Sequence, residues 1–242
     1  MINREKKSVL ILGASSDIGV NLISQLIKKN YFIIAHYNST KKKLSKFSND
    51  KVKIFKSDFS LINDTNLKKL NKQIKNYNVS VIINLIGYID NKNYFNSNLD
   101  SLEKSFKANS FVPNLIIRNQ LNFMKKKRFG RIINCSSIGI KFGGGKNSYN
   151  YSFSKYASEF IPSELRYLAK YNVFINNLRL GMINTKIHKK LKRNKKEVNY
   201  RLNLIPANRI AEPNEITNYI LFFISDNNSF LTRETISISG GE

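Results

Sequence analysis

The 242-residue chain holds a single cysteine, Cys135. No internal disulfide can form, and neither a cysteine-based zinc cage nor an iron–sulfur cluster can be assembled within one chain. Reducing cytoplasm is the expected compartment. Histidine is almost as scarce: His36 and His188 lie far apart, nothing resembles a metal-ligand spacing, and no metal is expected. Long apolar runs are missing too. Nothing approaches the roughly 20 residues of a membrane span, and Met1 to Lys7 passes into a strand-like run without a signal-peptide core. A soluble, untargeted chain with no membrane partner is expected. No Gly/Ser linker, Pro-rich segment or internal repeat divides the sequence, so residues 1–242 read as one domain, long enough to bury a sheet with helices on both faces. Acidic residues are few as well: 16 against 41 Lys and Arg, a formal charge of +25. Such a charge could serve nucleic acid or an anionic membrane surface. The lysines are scattered, however, with local clusters at 41–43, 125–128 and 189–196, and they accompany abundant Asn and Ile, as an AT-rich genome encodes. Solvated surface is the reading adopted, and nucleic acid is not an expected partner.

What is present is a regular alternation of β-like runs and helical stripes, the pattern of a mostly parallel sheet. Ser8–Leu12, Phe32–Tyr37, Val52–Phe55, Val81–Leu85, Arg131–Cys135, Val173–Leu180 and Thr235–Ser239 read as seven strands. Ile18, Leu22, Leu26 and Ile27 form one helical stripe, and Leu67, Leu70, Ile74 and Tyr77 another. Longer helices are expected over Asp100–Met124, Ser148–Lys170 and Asn214–Ser225, the second kinked at Pro162. The fold class is α/β, a doubly wound parallel sheet of the Rossmann type. Ile183–Ala211 is basic and lacks periodicity, and a loop of that length in a compact domain is expected to cover a site.

Three features carry chemistry. Strand one ends in Leu12-Gly13-Ala14-Ser15-Ser16-Asp17-Ile18-Gly19 just before a helix, where glycines let the backbone approach a pyrophosphate at the positive end of a helix dipole. Asn84-Leu85-Ile86-Gly87 closes the fourth strand, which in such a sheet borders the same crevice. Tyr151 and Lys155 are four apart on one predicted helix face, so an ammonium stands near a phenol and favours tyrosinate, and Ser137 ends the strand before them. Each alone has an ordinary structural explanation. Their order along one chain makes coincidence a poor account.

The chain resembles the short-chain dehydrogenase/reductase family along nearly its whole length. Gly13 to Gly19, with Ser15, Ser16 and Ile18, is similar to that family's cofactor turn, Asn84 to Gly87 to its Asn-Asn-Ala-Gly element, and Asp58 to its adenine-contacting acid. Asn109, Ser137, Tyr151 and Lys155 match its four catalytic positions. Leu180-Gly181-Met182-Ile183-Asn184-Thr185 resembles the Pro-Gly segment that meets the nicotinamide, with Gly181, Ile183 and Thr185 as contacts, and Ile205 to Arg209 and Ser239 to Gly241 resemble its closing signatures. The departures are Leu12 for Thr, Asp17 for the middle Gly, Leu85 and Ile86 for polar and small residues, and Leu180 for Pro. Asp17 is expected to point away from the pyrophosphate and cap the helix.

The resemblance implies hydride transfer between a nicotinamide and a carbonyl or alcohol carbon, with Tyr151 passing the proton and Ser137 bonding the same oxygen. Lys155 would hold the ribose and lower the Tyr151 pKa, and Asn109 would anchor a water leading to solvent. NADP(H) is favoured over NAD(H): the second strand ends Ala35-His36-Tyr37-Asn38-Ser39-Thr40 without an acid, and lysines 41–43 follow. The substrate is expected to be a small carbonyl or alcohol compound, of the 3-oxoacyl thioester or sugar type. Arg128 resembles the carrier-docking arginine of 3-oxoacyl-acyl-carrier-protein reductases, so an acyl carrier protein is an expected partner. His188, Lys189, Lys190, Lys192, Arg193, Lys195 and Lys196 are expected to border the substrate mouth and to steer acidic partners. Cys135 is expected to be a buried apolar residue and no nucleophile. A homodimer or homotetramer is implied. The competing reading is a catalytically silent binding protein with a basic nucleic-acid surface.

Overall fold

The computed structural model describes residues 7–47, 49–186 and 195–242, with only the backbone described for Lys195. Seven parallel strands, β1 (Ser8–Leu12), β2 (Phe32–Tyr37), β3 (Val52–Lys56), β4 (Val79–Asn84), β5 (Gly130–Ser137), β6 (Val173–Leu180) and β7 (Thr235–Ile238), lie in the order β3-β2-β1-β4-β5-β6-β7. Chain order reverses between β1 and β4, which pair from Ser8↔Val79 to Leu12↔Asn84. That is where a doubly wound sheet opens a crevice.

Alternation along each strand sorts two cores. Val9, Ile11, Ile33, Val81, Ile83 and Ile133 face one side, under α1 (Asp17–Lys28) and α8 (Pro213–Ile224). Leu10, Leu12, Ile34, Ile82 and Ile132 face the other, under α3 (Asp64–Lys75) and α5 (Val112–Lys127). With both faces covered, the strands read as continuous apolar runs rather than alternating ones. At the open edge, Lys53 and Lys56 of β3 are exposed, which deters edge-to-edge pairing. A short helix, α2 (Lys42–Ser45), links β2 to β3.

The expected helix Asp100–Met124 is interrupted. It is α4 (Leu99–Phe106), a π-turn over Lys107–Phe111 and then α5. Pro113 has no N–H to give the carbonyl of Asn109, so a regular i to i−4 ladder cannot pass that point. The expected helix Ser148–Lys170 is likewise two pieces: α6 (Tyr149–Ser158) and a 3₁₀ run, Ser163–Tyr171. Pro162 does not kink a helix; with ψ 145° it starts the second piece, because its ring excludes the helical path for the residue before it. The segment 183–211 is not wholly irregular. Ile183 and Ala211 form a parallel bridge, and Lys195–Asn203 is helical (α7). Only Val198 and Leu202 supply a helical apolar stripe there, too little to stand out among lysines.

Arg131, 1% exposed near the start of β5, locks the sheet end opposite the crevice. Its guanidinium lies between the Phe129 and Phe174 rings, 4.5 and 4.4 Å from their centroids, and donates to the carbonyls of Gly130, Asn172 and Asn228 at 2.8–2.9 Å. Burial lowers its pKa to about 10. Arg131→Met keeps the stem but removes these bonds, leaving the Asn172 carbonyl its Gly130 N–H partner, and is expected to cost about 3 kcal/mol in urea denaturation. A loss below about 1 kcal/mol would show that the three bonds contribute little.

Candidate active site

The carboxyl ends of β1, β2, β4, β5 and β6 open on one cleft of about 1420 Å³. Gly13 turns the chain out of β1 at φ +79°, and a Cβ there would stand 3.0 Å from the Leu85 carbonyl carbon and oxygen. A Cβ on Gly19 would collide with the Ala14 carbonyl oxygen, so α1 begins directly against the strand exit. Ser16 is the N-cap, its Oγ accepting from the Gly19 N–H at 3.1 Å.

Asp17 is therefore not the cap. It is the first helical residue, and its carboxylate pairs with Lys43 and accepts from the Lys186 N–H at 3.0 Å. Burial alone would raise its pKa, but the Lys43 bond, the Lys186 amide and the charges of both lysines outweigh it and hold the carboxyl below its usual value. The extended backbone that a cap requires belongs to Ser16, whereas Asp17 has a cation within reach.

Beneath the turn lies His36, 3% exposed. Its Nδ1 accepts from the Gly13 N–H at 3.2 Å and its Nε2 donates to the Ser57 carbonyl at 2.9 Å, an arrangement that only neutral imidazole satisfies. The ring stacks on Phe59 at 4.2 Å between centroids. Burial lowers its pKa to about 4, against the opposing pull of the Ser57 carbonyl and the Asp58 charge. Nothing in the sequence marks this role, because His36 and Gly13 meet only once β1 and β2 are paired. Lys43 was likewise indistinct among lysines 41–43 until α2 turned it into the cleft.

Ser15, Ser16 and Ile18 of the turn, Asn38 and Ser39 after β2, Asp58 after β3, Gly87 after β4, and Gly181, Ile183 and Thr185 after β6 all border the cleft with Gly13. Asp58 Oδ1 accepts from the Ser60 N–H at 2.9 Å and the Ser60 hydroxyl at 2.6 Å. Gly19 and Asn84 stand behind the wall. Asn84 accepts from the Ile86 N–H at 3.2 Å and donates to Asn134 at 3.5 Å, a scaffold position rather than a lining one.

Ser137, Tyr151 and Lys155 all border the cleft. Ser137 Oγ accepts from the Gly139 N–H at 3.2 Å, so its own proton is available to a ligand oxygen. Lys155 is 2% exposed, and its Nζ donates to the carbonyls of Ile86 (2.6 Å) and Cys135 (2.5 Å), 6.0 Å from the Tyr151 ring centroid. Burial lowers its pKa to about 8. The Cys135 thiol is pushed up to about 12 by burial, which leaves it protonated. Asn109, fully buried in the π-turn, accepts from the Tyr88 N–H at 2.8 Å and donates to the Tyr88 carbonyl (3.0 Å) and Ser154 Oγ (2.9 Å). Both its amide N–H groups are thus committed to protein atoms, so the side chain braces the wall and has no donor left for a water.

Lys146, Lys196, Tyr200 and Arg201 stand at the mouth. His188, Lys189, Lys190, Lys192 and Arg193 lie outside the described residues. No helix among the described residues is long and apolar enough to cross a membrane.

The family model described as Enoyl-(Acyl carrier protein) reductase, of the short-chain dehydrogenase/reductase class, matches residues 13–242. The chain belongs to the short-chain dehydrogenase/reductase family. This short-chain dehydrogenase/reductase is 31% identical over 246 residues to a 3-oxoacyl-(acyl-carrier-protein) reductase of Buchnera aphidicola subsp. Schizaphis graminum, covering 98% of this chain and 97% of that one. It is 26% identical over 255 residues to an L-rhamnose 1-dehydrogenase (NADP(+)) of Thermoplasma acidophilum, covering 100% and 98%. A 3-oxoacyl (acyl-carrier-protein) reductase structure from Agrobacterium tumefaciens C58 with NADP bound shares its fold, at a TM-score of 0.84, 20% identity and coverage of 98% and 94%. The chain is an oxidoreductase of this family.

His36 predicts a pH dependence. Its folded pKa of about 4 lies below the ordinary 6.5, so the unfolded chain takes up the proton first. Stability is fully present above about pH 6.5 and falls as pH drops toward 4, by on the order of 3 kcal/mol. Urea midpoints followed across this window should flatten in His36→Gln, which has no titrating ring. An equal slope in both proteins would remove His36 as the source.

Proposed function

We propose that this protein is an NADP(H)-dependent reductase of carbonyl compounds, with a 3-oxoacyl thioester as substrate class and Tyr151 as proton donor. The observation that carries the reading is that Ser137, Tyr151 and Lys155 border the same cleft as a glycine turn at the start of a helix. The residues fit a dinucleotide. A side chain at Gly13 would close the turn, and the Asp17 carboxylate, which suits a pyrophosphate poorly, is compensated by Lys43.

Nicotinamide, when bound, supplies or accepts the hydride. Ser137 donates a hydrogen bond to the substrate oxygen, and Tyr151 gives it a proton as negative charge develops there. Two of the three Lys155 N–H groups hold Ile86 and Cys135, which leaves the third for the ribose. The Lys155 Nζ stands 6.0 Å from the Tyr151 ring centroid, so the ribose-holding group and the proton donor are neighbours on α6. Ser39, just beyond β2, and Lys43 on α2 both border the cleft and would bind the 2′-phosphate of NADP(H), Lys43 while also paired with Asp17. Gly181, Ile183 and Thr185 would contact the nicotinamide side, and 183–211 would cover the substrate.

The thioester reading draws on the 3-oxoacyl-(acyl-carrier-protein) reductase relatives, and a sugar-type substrate is the alternative that the rhamnose dehydrogenase suggests. Lys146 and Lys196, which border the cleft, supply positive charge for an acyl carrier protein, whereas Arg201 is paired with Glu242 and Arg128, left-handed at φ 51° after α5, lies at the opposite sheet end and donates to the Lys170 carbonyl. Exposed Phe111 at the end of the π-turn, Phe153 and Tyr156 on α6 and Phe160 just beyond it support a homo-oligomer, a dimer or tetramer. The cytoplasm fits the single buried Cys135 thiol.

The test is turnover of NADPH and NADH with acetoacetyl-coenzyme A, simple ketones and aldoses. A higher kcat/KM with NADPH is expected, highest for the thioester. Tyr151→Phe should lose at least about 10²-fold in kcat with NADPH affinity nearly unchanged. Wild-type inertness toward the whole panel would favour a silent binding protein, and near-normal turnover in the Phe variant would remove Tyr151 as donor.

A further inference from the structure

The chain leaves β4 without regular structure until α4 begins, yet it is fastened to the catalytic elements at alternate residues. Lys155 Nζ donates to the Ile86 carbonyl at 2.6 Å. Asn109 brackets the Tyr88 backbone at 2.8 and 3.0 Å. Asn150 Nδ2 donates to Asp90 Oδ2 at 2.6 Å, and the Tyr149 N–H donates to the Lys92 carbonyl at 3.0 Å. The fastenings fall on residues 86, 88, 90 and 92, and Asn91, at φ 58°, turns the chain between the last two. Of these four fastenings, only Asp90–Asn150 joins two side chains, so there alone residue identity on both partners matters.

Asn150 is fully buried, and its amide is satisfied on every side: Nδ2 also donates to Ser101 Oγ at 3.0 Å, and Oδ1 accepts from the Ser97 hydroxyl at 2.5 Å. Helix α6 has no side-chain bond at its N-cap, Ser148, whose hydroxyl is turned back to Gly145. The first turn of α6 is thus held from outside, by Asn150 and the Tyr149 amide. Successive helical residues point about 100° apart. Asn150 therefore grips the β4–α4 segment while its neighbour Tyr151 borders the cleft. An amide donating to a carboxylate is a charge-assisted bond, shorter and stronger than a neutral one.

We propose that Asp90 and Asn150 are a positioning pair that fixes the first turn of α6, and with it the Tyr151 hydroxyl, relative to the substrate oxygen. This rests on Tyr151 as proton donor. Binding of NADPH depends on the β1 turn, the β2 end and, at the ribose, Lys155, which is held separately by the Ile86 and Cys135 carbonyls; the pair touches none of these. Loss of the pair therefore lowers kcat with little change in cofactor affinity.

The test uses the full chain, NADPH and acetoacetyl-coenzyme A, or whichever panel compound the wild type reduces. Asn150→Asp sets a second carboxylate against Asp90 and is expected to lower kcat at least about 10-fold, with the NADPH Kd within about 3-fold. The exchanged pair, Asp90→Asn with Asn150→Asp, restores an amide-to-carboxylate bond of equal size and is expected to return kcat to within about 3-fold of wild type. If Asn150→Asp does not fold, Asp90→Ala, which keeps the Ser97 and Ser101 bonds, is expected to show the same kcat loss at unchanged NADPH affinity. Unchanged kcat in a folded Asn150→Asp or Asp90→Ala, or an exchanged pair no better than Asn150→Asp at equal Tm, overturns the proposal. Those outcomes leave the Tyr151 reading standing if Tyr151→Phe is inactive. Turnover by Tyr151→Phe, or a wild type inert on every compound, overturns that reading and the role of the pair with it.

Discussion

A buried ammonium organises the wall of the cleft where α6 meets the sheet. Lys155 is 2% exposed, and removing a charge from water is unfavourable enough to bring its pKa down to about 8, yet it stands where two strand exits need a common donor. The Ile86 carbonyl lies just beyond β4 and the Cys135 carbonyl belongs to β5, and one Nζ ties both to α6. One row beneath, Asn84, Asn134, Asn177 and Thr235 stand in register across β4, β5, β6 and β7, with side-chain contacts of 3.5, 3.4 and 3.1 Å. This polar layer lets the floor of the cleft be both buried and hydrogen-bonded, which an apolar floor beneath a cation would not allow.

The architecture was largely legible in the sequence because both faces of a parallel sheet are covered, and that writes apolar runs of strand length. β1, β2 and β6 fall on the residues their runs predict. Helix interiors were less legible. The breaks at Pro113 and Pro162 depend on what the neighbouring carbonyls find instead of a helical partner, and that is a tertiary matter. Gly13, Ser137, Tyr151 and Lys155 could be picked out because motif spacing reports local geometry. His36, Lys43, Asp90 and Asn150 could not, since each acts across 20 or more residues of chain.

The large positive charge has a counterpart in the backbone. Asn30, Asn78, Asn91, Asn147, Asn172 and Asn208 all adopt positive φ, where glycine is the usual choice. Asparagine tolerates that region better than most side chains. A chain rich in Asn and Lys can therefore fill its turns with one and its surface with the other while the sheet and cleft persist. Lys43 stands apart from the solvated lysines because it has a carboxylate partner at the cleft.

The central claim is that hydride passes from the nicotinamide C4 to a substrate carbon in this cleft. Turnover with NADPH carrying deuterium at the transferred C4 position, followed by mass analysis of the alcohol product, tests it directly. The account predicts one deuterium on the carbinol carbon, from one of the two C4 epimers of the cofactor. Product that forms without deuterium from either epimer would contradict it.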